Sequence, residues 1–308
     1  MTKLRTPQDG VSLVELMVSM VIGLVIMIAV GQAYLDATSS SRIAETQARM
    51  NEDAQTALAI LVQQLKLAGA NPLRPDRASS HVRNPFTPTY IVRACDIAFT
   101  NTHNATSIDT LTCSHIASST GPASLAISYE ADRFNSALNS AGVPADCVGN
   151  GLNSISVTFV TSSGASKDTS TYQAHPVYYI DTGNSPRTLS CRNAGASGSA
   201  QPLIENVEDL QLSFGVATVA APDQVQGYLR AQAIDDDAGP LGALPSKADR
   251  WALVRTVRIC LLMRSGEAFA TSIHAAQYNS CNDSLVTNPP DLRLRRAYTT
   301  TVVLRNRS

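Results

Sequence analysis

Residues 11–35, "VSLVELMVSMVIGLVIMIAVGQAYL", make an apolar run of 25 residues with one charge, Glu15. A helix that is apolar on every face has no ordinary place on the surface of a soluble domain. At about 1.5 Å of rise per residue, the run is long enough to cross a hydrocarbon core of about 30 Å. A secretory signal peptide is the competing explanation. Its apolar region is shorter, roughly 7–15 residues, and ends at a small-residue cleavage site. Ala37, Thr38 and Ser39 supply such a site, but the run is too long and has an acid inside it. A carboxylate in lipid costs about 2.5–3.5 kcal/mol on insertion scales, so it calls for a partner or a function. Flanking charges do not orient the run: Lys3 and Arg5 precede it, and Arg42 and Arg49 follow at similar distance.

The helical pattern continues beyond the greasy part. Met50, Ala54, Leu58, Leu61, Leu65 and Ala68 recur at three- and four-residue steps and fall on one stripe. Arg49, Glu52, Asp53, Gln55 and Gln63 fill much of the remaining surface. Gly69, followed by Asn71 and Pro72, supplies a stop. Residues 11–68 are thus expected to form one helix of roughly 85–90 Å. Gly23 and Gly31 soften it, and "TSSS" at 38–41 is the expected bend. The plainer alternative has a membrane anchor followed by a separate helix.

From about residue 73 the pattern changes. Pro72, Pro75, Pro85 and Pro88 mark an irregular connection. Short apolar or alternating runs follow at 90–99, 124–129, 155–160, 177–180, 207–214, 253–262 and 299–305. Their β-branched residues and intervening turn residues predict strands. Ser/Thr/Asn/Gly-rich stretches at 100–120, 161–172 and 181–202 are expected to be loops. The expected fold is α+β: one long helix on an antiparallel sheet, with long loops. The chain divides into residues 1–10, an apolar helical half at 11–35, an amphipathic half at 36–70 and a β-rich globular domain at 71–308.

The six cysteines, Cys95, Cys113, Cys147, Cys191, Cys260 and Cys281, all lie in the globular part. An even count with no Cys-x-x-Cys pair favours disulfides formed outside the cytoplasm. That places the C-terminal domain outside the cytoplasm too. Zinc is the alternative, because His103 and His115 lie near Cys95 and Cys113. Zinc sites, however, show tight ligand pairs. Of 15 possible pairings, the sequential one (95–113, 147–191, 260–281) closes the shortest loops.

Net charge is −1 and charged residues make up 16%, so there is no basic face for a dedicated nucleic-acid binder. Arg293, Arg295 and Arg296 are the one basic cluster and are expected to charge the edge of the last strand. The sequence contains no Gly-x-Ser-x-Gly, His-Glu-x-x-His or phosphate-loop motif. The histidines at 81, 103, 115, 175 and 274 are isolated, and each is expected in a loop or at the surface. Asp235, Asp236 and Asp237 form the only carboxylate cluster. They lack the alternate spacing of a calcium loop, so a solvated turn is favoured over a calcium site. No cofactor and no catalytic residue is expected.

"G-VSLVELMVSMVIGL" resembles the N-terminal signal of the type IV pilin family. In that family a short basic leader ends in Gly, and a Glu stands at the fifth mature position. The resemblance implies that prepilin peptidase cuts between Gly10 and Val11 and methylates the new amine. The residue after the cut is usually Phe and here is Val. The same resemblance implies that the amine of one subunit meets Glu15 of a neighbour. "LIENVEDLQLSFGV" (203–216), "RWALVRTVRICLLMRSGE" (250–267) and "DLRLRRAYTTTVVLRNR" (291–307) resemble the PilW-type minor pilins of type IV pili. The family implies a non-enzymatic role in pilus assembly, twitching motility and adhesion. Its implied partners are other minor pilins, the major pilin, prepilin peptidase and the inner membrane, with a tip adhesin as a further candidate. The implied locations are the inner membrane, with a periplasmic C-terminal domain, and then the pilus tip. Two alternatives remain: a minor pseudopilin of type II secretion, and a membrane-anchored periplasmic enzyme.

Overall fold

The structure is a computed structural model. It describes residue 10 and residues 12–72, 74–75, 81–82, 88–114, 121–160, 164–183, 185–195, 199–236, 241, 244 and 246–306. The chain divides into two compact units, residues 1–49 and residues 50–308. The first element is the α-helix Leu13–Leu67, 55 residues long, which contributes to both. The bend expected at 38–41 does not interrupt its secondary structure. The hydroxyls of Thr38 and Ser39 donate to the carbonyls of Leu35 and Asp36, each at 2.9 Å, so these residues stay in the helix.

In the second unit, Met50, Ala54, Leu58, Leu61, Leu65 and Ala68 are all buried in the main core, and Ala57 joins them. The helix stops because Gly69 adopts the left-handed conformation (φ +72°). A Cβ there would also lie 2.2 Å from the backbone oxygen of Asn306. The Asn306 side chain donates to the Lys66 carbonyl at 2.7 Å. The Gly69 N–H donates to the Ser128 carbonyl at 2.8 Å. The segment at Asn306 therefore meets the C-terminal end of the helix.

Two antiparallel sheets carry the rest. One has the strand order Gln201–Glu205, Thr188–Asn193, Pro176–Asp181, Ser124–Ile127, Val92–Cys95. The other has the order Gly227–Leu229, Val207–Val216, Val254–Ala268, Arg293–Val303. The Ala123 N–H donates to the Leu210 carbonyl at 2.7 Å and couples them. Leu125, Ile127 and Leu189 from the first sheet, and Leu210, Phe214 and Ile259 from the second, pack with the helix stripe in one core. A smaller sheet has the order Tyr129–Ala131, Ser166–Ala174, Ser154–Val160.

Two of the stretches expected to be loops are partly strands. Ser166–Ala174 begins inside 161–172, and its residues 166–172 pair with Ser154–Val160. Its outer positions are exposed, so Ser, Lys, Asp and Thr fill them and no apolar alternation shows. Thr188–Asn193 lies in 181–202 and is buried at every position, although four of its six residues are polar. Internal hydrogen bonds make this possible. The Asn193 Oδ1 accepts from the His175 N–H at 2.7 Å, and Thr188 Oγ1 donates to the Pro186 carbonyl at 3.1 Å.

Arg295 was expected as an edge charge. Its strand does lie at the sheet edge, but its side chain is fully buried. It meets Glu208 at 2.5 Å and Asp291 at 2.6 Å. The hydrogen bond from Arg295 holds the Asp291 carboxyl below its usual range. Arg293 donates to the Ser265 and Gly266 carbonyls, and Arg296 alone of the three is exposed. His175 was expected in a loop or at the surface; it lies in the one-residue connection between Ser166–Ala174 and Pro176–Asp181 and is buried, 3.0 Å from Ser128 Oγ through Nδ1. Burial lowers its pKa from 6.5 to about 4, with Asp109 opposing weakly.

Two predictions follow from these buried groups. Between pH 6.5 and about 4 the unfolded chain binds a proton at His175 that the folded chain refuses. Folding stability therefore falls as pH drops through this window, by roughly 3 kcal/mol in all. Urea unfolding from pH 7 to 4 should show a shallower loss for His175→Gln than for the parent; equal slopes would contradict the assignment. Arg295→Met should cost about 3 kcal/mol, because it leaves the Glu208 carboxylate unpaired beside an apolar side chain, while Asp291 keeps Arg264 and Arg293. Adding Glu208→Gln should recover part of that loss in the urea midpoint.

Candidate functional site

The sequence concentrates its unusual chemistry at the helix start. Gly10 is exposed, and Val11 lies outside the described residues, as do residues 1–9. Glu15 sits in the first turn of the helix. There the unpaired backbone N–H groups and the helix dipole favour an anion by about 0.3–1 kcal/mol. Ser19 Oγ donates to the Glu15 carbonyl at 2.7 Å. Among the described residues, the Glu15 carboxylate has no hydrogen-bond or ion-pair partner.

Around Glu15 every large apolar side chain is exposed, from Leu13 at 77% through Val21 at 64% to Leu35 at 66%. No residue of the most apolar stretch is buried. The section 13–35 is therefore a cylinder of uncovered hydrocarbon, long enough to cross a membrane. Such a surface can be satisfied by lipid or by other helices. It has one charged point near its end. Such an arrangement can pack against apolar surface and can pair with a cation.

The cysteines form three disulfides in the sequential arrangement: Cys95–Cys113, Cys147–Cys191 and Cys260–Cys281. None bears on a metal. Among the described residues no three His, Cys, Asp or Glu side chains converge to hold an ion. His115 lies outside the described residues, and of His81 only the backbone is described. His103 is exposed and lies 3.2 Å from an Arg192 guanidinium nitrogen. His274 is exposed in a short 3-10 turn.

The acidic run departs from the solvated turn expected for it. Asp235 is buried at the end of the short helix Ala231–Asp235. Its Oδ1 accepts from Trp251 Nε1 at 2.8 Å, and its Oδ2 meets Lys247 Nζ at 3.2 Å. Asp236 is exposed, and Asp237 lies outside the described residues. Asp235 thus locks the Trp251 ring into the core and is committed on both oxygens. Sequence reasoning missed it because its partners lie 12 and 16 residues away. The one local signal was a lone Trp, which needs an acceptor when buried.

Comparison with known proteins bears on two separate parts of the chain. Residues 177–306 match the family model of Type IV Pilus-assembly protein W. Residues 5–31 match the Prokaryotic N-terminal methylation motif. No curated protein matches the sequence. Among solved structures the chain is similar to a type IV-like pilin from Thermus thermophilus. That similarity has 12% identity and a TM-score of 0.34, and covers 84% of this chain and 99% of the other.

Proposed function

We propose that this chain, a type IV pilin-like protein of the PilW type, helps to prime pilus assembly and remains in a minor-pilin complex at the filament tip. The observation that carries this reading is the uncovered apolar cylinder of residues 13–35, with Glu15 in its first turn. A chain built for catalysis needs a pocket of convergent polar groups. A chain built for assembly needs such a helix.

In this reading residues 11–35 hold the chain in the inner membrane. Three disulfides favour a globular unit outside the cytoplasm. Prepilin peptidase cuts after Gly10 and methylates the amine of Val11. The helix then leaves lipid for a bundle of like helices from other minor pilins and the major pilin. The burial it had in lipid is kept, since each apolar face meets another. The Val11 amine of one subunit pairs with Glu15 of the next and fixes the stagger between them. The role is structural, and twitching motility and adhesion depend on it through the filament.

Mass analysis of the mature chain should find an N-methylated N-terminus at Val11. An intact leader, or cleavage near Ser39, would defeat the proposal. Glu15→Ala should be processed normally yet lower piliation by about tenfold, what roughly 1.4 kcal/mol of lost coupling gives. Piliation equal to the parent's would remove the register role of Glu15. Normal twitching together with blocked exoprotein release would assign the chain to a secretion pseudopilus instead.

A further inference from the structure

The two main sheets and the smaller one end in six edge strands. A bare edge is a template for another strand unless something blunts it. Five of the six are blunted. Val92–Cys95, Tyr129–Ala131 and Gly227–Leu229 are only three or four residues long. Gln201–Glu205 carries Pro202, and Arg293–Val303 carries Arg293, Arg295 and Arg296. The sixth edge strand, Ser154–Val160, has none of these devices. It is seven residues long and holds no charge, proline or glycine. Ile155, Val157, Thr158, Phe159 and Val160 all favour extended backbone. Among the described residues this strand pairs on one side only, with Ser166–Ala174. Ser154, Ser156, Thr158 and Val160 are exposed.

We propose that this edge pairs with the same edge of a second copy of the chain, antiparallel and centred on Val157. The strand's own pattern selects that occupant. Ile155-Ser156-Val157-Thr158-Phe159 reads the same in polarity from either end. In the register centred on Val157, that residue meets its own copy. Ile155 then meets Phe159, Ser156 meets Thr158, and Ser154 meets Val160. Residues directly opposed in a sheet share a face, so apolar meets apolar and hydroxyl meets hydroxyl across the centre. A slip of one residue sets Ile155 against Thr158 and Ser156 against Val157, which mixes the two kinds and fixes the register. No like charges oppose each other along this strand, because it carries none.

The sheet behind the edge already has the two faces that this register needs. Val157 is 6% exposed and Ile155 is half-buried, whereas Ser156 and Thr158 between and beside them are open to solvent. Joining two copies continues the covered face into a covered face and the open face into an open one. The result is one sheet of six strands, three from each copy. The contact is isologous, so each copy occupies the other's bare edge and the assembly closes as a dimer instead of growing into a fibre. One strand pair buries less than a standard interface of about 1,600 Å², so the dimer is a weak one. It lies in the globular unit and does not depend on the pairing of helices proposed above.

Sedimentation equilibrium of the full-length chain, in a detergent matched in density to the solvent, should show monomer and dimer exchanging in the micromolar range. Ser156→Lys and Ser156→Glu each place two like charges on the diagonal of the two-fold pair, about 7–8 Å apart. Each should weaken the dimer by about tenfold with unchanged melting. Their equimolar mixture should associate more tightly than either variant alone, because Lys then faces Glu across the diagonal. Ser156→Thr should associate like the parent, and so should Thr301→Lys, at an exposed position on the Arg293–Val303 edge. Four outcomes would overturn the proposal: a folded chain that stays monomeric, association that neither charged variant weakens, a mixture no tighter than its components, or growth beyond the dimer that the Ser156 variants abolish.

Discussion

The globular unit depends on the burial of one helical stripe. Over about five turns, the stripe from Met50 to Ala68 meets strands of both main sheets in a single core. Ala54 and Ala57 are fully buried, and side chains this small let the helix backbone approach the sheets closely. Leu61 and Leu65 then fill the space between them. Burying a Leu side chain is worth about 1.5–3 kcal/mol, so this stripe outweighs any single polar contact around it. The Gly69 turn and the Asn306 side chain fix where the stripe ends.

Because the helix covers one side of the five-stranded sheet and a disulfide-closed segment covers part of the other, its inner strands are buried on both faces. That explains why Thr188–Asn193 is fully buried and yet mostly polar: its side chains hold loops in place from beneath. Arg295 plays the same part in the second sheet, tying the Glu208 strand to the Asp291 turn. The disulfides span 18, 44 and 21 residues. Closing loops of this size is worth about 3–4 kcal/mol each in the chain-entropy description. The long connections of this fold are thereby held where packing alone is thin.

What could be read from the residues followed the periodicity. The stripe at 50–68 was legible because apolar positions at 3.6-residue spacing have one meaning on a helix. The strands at 207–214 and 253–262 were legible because Val, Ile and Leu alternate or cluster there. Ser166–Ala174 was not, since an exposed strand face imposes no apolar requirement. Thr188–Asn193, Asp235, His175 and Arg295 were hidden for another reason. Their burial is set by partners distant in sequence, and a polar residue gives no sign of whether such a partner exists.

Glu15 shows how far the helix start can be understood from energy alone. An acid in the apolar run costs about 2.5–3.5 kcal/mol. Its place in the first turn returns about 0.3–1 kcal/mol through the helix dipole. The shortfall of roughly 2 kcal/mol cannot come from the chain's own described residues, none of which pairs with the carboxylate. A cation brought beside it would supply that amount in a medium of low polarity. Cleavage at Gly10, as proposed above, would create such a cation on Val11, four residues before Glu15 in sequence. In the proposed assembly an isolated chain keeps the cost, and a staggered pair of chains removes it for one member, so the lone acid would favour the assembled state.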